Sequence, residues 1–191
     1  RIKHLGIARR TDAGIELRVH PTLIPDDQLI ANVNGVKNAI LVQANAVGPT
    51  LYYGAGAGAG PTASAVVADV VDIVRDIIYT EDGAGTIPQL AFEALTDLPI
   101  LTREQMTTGY YIRINAEDQM GVLADVTTIL SRAGISIDAI MQQPRLKDLI
   151  PIVILTDPIV ESKMDEALQR IQSLPFIHGE IVRIRLESLD N

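Results

Sequence analysis

Two hydrophobic periods alternate along this chain of 191 residues. Apolar side chains at every second position mark strands, and spacings of three and four mark helices. Residues 4–53 follow the first pattern. Leu5–Arg9 and Ile15–Val19 flank Thr11-Asp12-Ala13-Gly14, a turn tetrad that ends in glycine. In the second run Ile15, Leu17 and Val19 share one face, and Glu16, Arg18 and His20 share the other. Pro21 and Pro25 are expected to break that ladder. A short helical stretch is expected around residues 26–31, then a turn at Asn34-Gly35. Ala39–Gln43 and Val47–Tyr53 are expected to complete a meander.

The helical period first takes over at Val66, Val67, Val70, Val71, Val74, Ile77 and Ile78, with Asp69, Asp72 and Asp76 opposite. Pro61 suits the first position of that helix. Residues 80–108, with Gly83, Gly85, Pro88 and Pro99, read as a connector with little regular structure. From Gly109 the pattern sharpens. Tyr110, Ile112 and Ile114 alternate with Tyr111, Arg113 and Asn115, and a helix over 122–133 stops at Gly134. Strands over 135–141 and 150–156 come next. A helix over about 160–174 turns Met164, Ala167, Leu168 and Ile171 inward, and a strand over 181–187 closes the set. The order βαββαβ is ferredoxin-like: one antiparallel sheet with two helices on one face. The expected fold is α+β, an incomplete β-rich region with an amphipathic helix followed by this βαββαβ unit. Its expected divisions are 1–80, 81–108 and 109–191.

Composition narrows the function. The chain carries 24 acidic against 16 basic side chains, and a net charge of −8 without any Lys/Arg run excludes a phosphate-tracking nucleic-acid binder. The absence of cysteine removes disulfides, thiolate zinc sites and Cys nucleophiles, and fits a reducing, cytoplasmic compartment. No apolar stretch approaches the ~20 residues that span a bilayer, so no membrane partner is expected. The chain opens on Arg1 without a signal peptide and runs directly into a strand. That arrangement suggests a fragment whose upstream part is missing.

Two loops are candidates for chemistry. Gly54-x-Gly56-x-x-Ala59 loosely matches a dinucleotide fingerprint, after a strand and before a helix whose N-terminus offers unpaired N–H groups. Against that match, the preceding strand comes from a meander, and no acidic residue ends a second strand about 20 residues on. No Lys-Ser/Thr follows, so the loop is not a Walker A motif. A packed strand–helix junction and a ligand contact stand level. In Ala116-Glu117-Asp118-Gln119-Met120-Gly121 a strand ends in an acidic turn at a helix entry. Amides there can bind a carboxylate, or Asp118 can simply cap the helix. His4, His20 and His178 lack metal-ligand spacing, and Asp69, Asp72 and Asp76 read as a solvated face beside Arg75, so no metal site is expected. His20 could still line a pocket at the end of its strand.

The stretches Gly6–Pro25, Val33–Ala39, Asn45–Gly58 and Pro61–Asp69 resemble the catalytic region of bacterial monofunctional homoserine dehydrogenase. Residues 109–188 resemble an ACT domain, the small amino-acid-sensing module at the C-terminus of such enzymes. The resemblance implies a parent that interconverts homoserine and aspartate semialdehyde, in threonine and methionine biosynthesis, with NAD(P). The Rossmann fingerprint, the proton-transferring lysine and the homoserine-holding carboxylates would all lie upstream of Arg1. No catalytic residue is therefore expected on this chain, and the fragment alone should be inactive and hold no cofactor. Gly54, Gly56 and Gly58 are implied to touch the cofactor in the parent, with NAD or NADP left open. The ACT module is implied to bind an amino-acid effector, threonine being favoured. Asp118 would hold the ammonium group, amides of Gly121 and Val122 the carboxylate, and Ser136 and Ile137 the opposite wall, across a dimer seam. A homodimer is expected. The rival reading is a self-standing sensing or dimerisation module without catalysis, in which residues 4–79 close into a compact unit of their own.

Overall fold

The computed structural model describes residues 1–79, 96–144 and 149–189. The chain divides into two compact units, Arg1–Ala31 with Leu98–Asn191, and Asn32–Asp97. This differs from the division expected at residues 80 and 108. The first two strands belong with the C-terminal module, and residues 4–79 do not close into one unit. The glycines and proline expected in the connector at 83, 85 and 88 lie outside the described residues.

In the larger unit, β1 (Ile2–Thr11) and β2 (Gly14–Leu23) form a hairpin. After the connector come β5 (Thr107–Glu117), α2 (Val122–Arg132), β6 (Ile137–Gln142), β7 (Leu149–Thr156), the two-residue β8 (Ile159–Val160), α3 (Glu161–Gln172) and β9 (Val182–Leu186). The sheet order β9-β5-β7-β6 is antiparallel throughout, the ferredoxin-like arrangement expected from the element order. Its core forms because alternate residues of β5 meet the helical stripes. Tyr110, Ile112, Ile114 and Ala116 are fully buried against Val126 and Leu130 of α2, Ile152 and Ile154 of β7, and Met164 and Ile171 of α3. Each such aliphatic side chain contributes about 1.5–3 kcal/mol on burial. Gly134, past the end of α2, adopts φ 71°, the left-handed stop that glycine takes without strain.

Two parts of this unit depart from the sequence reading. The connector is ordered at its end: Ile100 bridges Ile15 of β2, and residues 103–105 make a 3-10 turn before β5 begins. The ladder also does not break at Pro21, because β2 continues to Leu23. The N-terminal amine and Ile24 N–H exchange bonds with each other's carbonyls, at 2.6 and 2.8 Å. Counting back in register puts Pro21, opposite His4, at a non-hydrogen-bonded pair, where its missing N–H costs the hairpin nothing.

Past Pro21, Thr22 and Leu23 pair in parallel with Arg185 and Leu186 of β9. The hairpin thus extends the ferredoxin-like sheet, and it does so with its polar face inward. Glu16, Arg18 and Thr22 are buried, whereas Val19 is 71% and Ile2 58% exposed. Arg9 Nη2 and Arg18 Nη2 donate to the two oxygens of Glu187 at 2.6 and 2.5 Å, and Arg18 Nη1 lies 3.4 Å from Glu16.

In the smaller unit, β3 (Lys37–Ala44) and β4 (Gly48–Ala55) form a second hairpin, separate from the first rather than part of one meander. Helix α1 (Ala59–Tyr79) follows. Its apolar residues carry the expected period but are not covered: Val66, Val67, Val70, Ile73, Ile77 and Ile78 are all more than half exposed. Asp72 pairs with Arg75 at 3.5 Å, and no cluster that could hold a metal occurs among the described residues. No described helix is long and apolar enough to cross a membrane.

Breaking a buried ion pair from one side leaves an uncompensated charge. Glu187→Ala should therefore lower unfolding free energy by about 3–5 kcal/mol. Replacing Glu187 and Arg18 together by Leu and Met should recover much of the loss, as read by urea unfolding. A pH effect follows at His20, whose ring Nδ1 sits 3.0 Å from Thr22 Oγ1 while Nε2 is buried without a hydrogen bond. Burial, then the charges of Arg185 and Arg18, hold its pKa below the ordinary imidazole value, against a raising bond to Pro21 O. The unfolded chain then binds the extra proton first. The contribution of neutral His20 is complete above about pH 6.5 and is lost as pH falls below it. Wild type should lose more stability between pH 7.5 and 5.5 than His20→Gln does.

Candidate functional site

The acidic turn after β5 opens a cavity of about 250 Å³. Three elements meet there because of strand polarity. The end of β5 supplies Glu117, the following turn Asp118 and Gln119, the start of β7 Ile150 and Ile152, and the end of β6 Gln142. Helix α2 closes the cavity with Val122, Leu123 and Ala124. Its first internal hydrogen bond runs from Asp125 N–H to Gly121 O at 2.9 Å. The N–H groups of Val122, Leu123 and Ala124 therefore have no acceptor within the helix, and they carry the positive end of its dipole. The cavity combines an anion-attracting helix entry, carboxylates from the turn, and an apolar floor.

Gly121, rather than Asp118, occupies the N-cap position, with φ 94° and ψ −20°. Gly121 is there for its left-handed backbone; a Cβ at this position would meet open space. Of the expected effector residues, the structure brings Asp118, Gly121 and Val122 together. Within a single chain Ser136 and Ile137 lie apart from them; the dimer seam expected to bring them there involves a second copy. Ile137 pairs with Thr156, at the far end of β7 from Ile150, because β6 runs antiparallel to β7 and only its last residue, Gln142, reaches Ile152. Within the chain, the wall facing the helix is made by Gln142, Ile150 and Ile152.

The rim of the cavity is tied to the segment before β9. His178 Nε2 lies 2.7 Å from Glu117 Oε1, Glu117 N–H donates to Phe176 O at 3.0 Å, and His178 N–H donates to Asn115 O at 2.9 Å. A second polar centre, absent from the sequence reading, surrounds Glu161 at the start of α3. This carboxylate is fully buried. Tyr110 O–H and Arg185 Nε donate to its Oε2 at 2.9 Å each, and Arg185 Nη2 bonds Oε1. Burial alone would raise the Glu161 pKa; the bonds from Arg185 and Tyr110 and the charge of Arg183 outweigh it and hold the carboxyl below its ordinary value. Burial and the bond to Glu161 push the Tyr110 phenol upward, so it stays a donor. With every oxygen engaged, this centre is structural. Its signal in the sequence was the Arg183/Arg185/Glu187 alternation on a strand that otherwise reads as half apolar.

In the smaller unit, the three glycines differ in kind, Gly54 within β4 and Gly56 and Gly58 in the loop after it. A Cβ on Gly56 would fall 1.6 Å from Asn38 Nδ2, and Gly58, which precedes α1, holds φ 122°. Both have reasons internal to the chain. Gly54 has none: its φ is ordinary and nothing lies within 4 Å of a Cβ built on it. The helix starts at Ala59, two residues before Pro61, with Thr62 N–H donating to Gly58 O at 3.1 Å. Pro61 thus sits within the first turn, where an N–H is not needed.

Residues 110–175 match the ACT domain family and residues 1–71 the homoserine dehydrogenase family. The cavity-bearing unit is thus built on an ACT domain. The homoserine dehydrogenase of Pseudomonas aeruginosa is 54% identical over 194 residues, covering 100% of this chain and 44% of the relative. That of Neisseria gonorrhoeae is 47% identical, covering 99% and 44%. A solved homoserine dehydrogenase from Thiobacillus denitrificans superposes with TM-score 0.89 at 53% identity, covering 100% of this chain and 43% of that one. A Staphylococcus aureus homoserine dehydrogenase shares the fold at TM-score 0.61 and 20% identity, over 99% and 42% of the two chains. The chain is similar over its whole length to homoserine dehydrogenases and spans about 44% of the length of these curated relatives.

The glycine loop gives a direct comparison. Gly58→Ala should destabilise the chain, because a side chain at φ 122° strains the backbone, whereas Gly54→Ala should leave its melting temperature unchanged or raise it slightly. Equal losses for the two variants in thermal unfolding would remove the distinction.

Proposed function

We propose that this chain is the part of a homoserine dehydrogenase that combines the end of the catalytic region with an effector-sensing ACT module. The parent enzyme interconverts L-homoserine and L-aspartate 4-semialdehyde, with NAD(P) as hydride carrier. The residues here suit one limited share of that task. Gly54, bare where no internal contact asks for it, lets backbone approach a cofactor, and the unbonded N–H groups at the start of α1 favour a negative group. Gly56 and Gly58 shape the loop that presents them. The nicotinamide supplies the hydride chemistry when bound, and this chain contributes backbone contact and the exclusion of water. No proton-transfer group is assigned to it, so the 191-residue chain should not turn over homoserine with either nicotinamide cofactor; turnover by the purified chain refutes this. The uncovered apolar residues of α1 support the same reading, since such a surface suits further chain of the parent. In the parent, Gly54→Val should raise KM for the cofactor at least tenfold while the fold stays intact.

The observation that carries the regulatory half is the cavity at the entry of α2. An amino acid fits its chemistry: the carboxylate on the N–H groups of Val122, Leu123 and Ala124, the ammonium group at Asp118 or Glu117, and a small aliphatic side chain on Ile150 and Ile152. Threonine is the favoured effector, within a homodimer. Calorimetric titration tests this, with binding heat expected for threonine at millimolar concentration. No heat with threonine, isoleucine, methionine, lysine or serine leaves a dimerisation role alone. Gly121→Leu is a poor blocking variant, because a non-glycine residue at φ 94° costs about 1–3 kcal/mol in backbone strain. Ala124→Leu, on the exposed first turn of α2 and facing the cavity, should reduce affinity at least tenfold with little change in stability.

A further inference from the structure

We propose that Glu187 is a positioning residue that couples the α2 cavity to the β1–β2 hairpin, so that effector occupancy reaches the homoserine dehydrogenase segment through strand β9. The proposal rests on the effector reading of the cavity. It starts at the rim, where Glu117 pairs with His178 and residues 176–178 are hydrogen-bonded along the end of β5. Ile181 N–H is held by Gln172 Oε1 of α3 at 3.0 Å, which fixes the entry into β9.

Arg183 and Arg185 of β9 and Glu187, the residue after its end, alternate along the chain and divide between two partners. Arg183 bonds Asp165 and Arg185 bonds Glu161, both on α3. Glu187 bonds Arg9 and Arg18 on the hairpin, and its N–H donates to Leu23 O at 3.0 Å. The two ends of the strand are thus fastened to different bodies of structure. Contacts from rim to hairpin are continuous and lie within one compact unit.

Glu187 gives this path two discrete states. The Arg18 side chain is 3% exposed, and its Nε and Nη1 make no hydrogen bond among the described residues. Glu16 stands 3.4 Å away, outside good hydrogen-bond distance, so Glu187 is the acceptor that holds the buried guanidinium. A displacement of β9 by about an ångström breaks a short charge-assisted bond, and the buried guanidinium has no other hydrogen-bond acceptor among the described residues. The bond is either made or lost, which is how a small shift at an effector site becomes a discrete change elsewhere.

Hydrogen exchange on the 191-residue chain, with and without saturating L-threonine, tests the coupling. In wild type, threonine should slow exchange at residues 122–124 and also across residues 7–18, the latter about fivefold or more. In Glu187→Gln, the cavity should still respond and the hairpin should not. His178→Gln, a half-exposed position that should not compromise folding, is expected to give the same split between cavity and hairpin. A wild-type cavity that responds while the hairpin stays silent overturns this proposal and leaves the effector reading standing. A hairpin that still responds in both variants overturns it as well. No response at residues 122–124 to threonine overturns the effector reading, and the coupling falls with it.

Discussion

Strand β9 has two neighbours, and the larger unit depends on that fact. A strand with β5 on one side and nothing on the other would expose an edge and leave Glu187 in water. Because β2 lies along part of that edge, the carboxylate is buried and must be matched, and Arg9 and Arg18 match it. The same alternation places Arg185 over Glu161, whose complete burial requires that every oxygen be bonded. Charge neutralisation between chain segments far apart in sequence thus selects the register of β2 on β9. Apolar packing alone would not, since the apolar face of the hairpin points outward.

The ferredoxin-like half was legible in the sequence because each of its elements carries its own signal. Tyr110, Ile112 and Ile114 alternate, Val122, Val126 and Leu130 follow the helical period, and Gly134 marks a stop. The membership of the hairpin was not legible. Ile15, Leu17 and Val19 read as a face for a core, yet Glu16 and Arg18 are the buried residues. What decides the matter is pairing with residues 185–187, and local periodicity holds no information about distant register. Arg18 on β2 and Glu187 just after β9 did carry a trace of it, as complementary charges along strands that otherwise alternate cleanly.

The candidate site was half legible for a related reason. A strand, an acidic turn and Gly121 at a helix entry are contiguous, so the cavity's near side could be read directly. Its far side depends on which end of β6 faces α2. Ser136 and Ile137 open that strand, whereas the cavity lies at its close, by Gln142, about 20 Å away at strand rise. In the glycine loop, one residue type hides three causes: a clash with Asn38, a left-handed backbone, and an unexplained bareness at Gly54. Composition could not separate them, and only the last points outside the chain.

The parallel contact of Thr22 and Leu23 with Arg185 and Leu186 joins positions separated by about 160 residues. Closing so long a loop carries a large entropic cost before any contact rewards it. During synthesis the β1–β2 hairpin emerges well before β9, with buried-type charges still in water and no strand to receive them. The ferredoxin-like core can collapse around β5, α2 and β7 in the meantime, but its sheet stays one strand short of completion. Folding of the β1–β2 hairpin is thereby tied to synthesis of β9, and that edge of the sheet stays open in the interval between them.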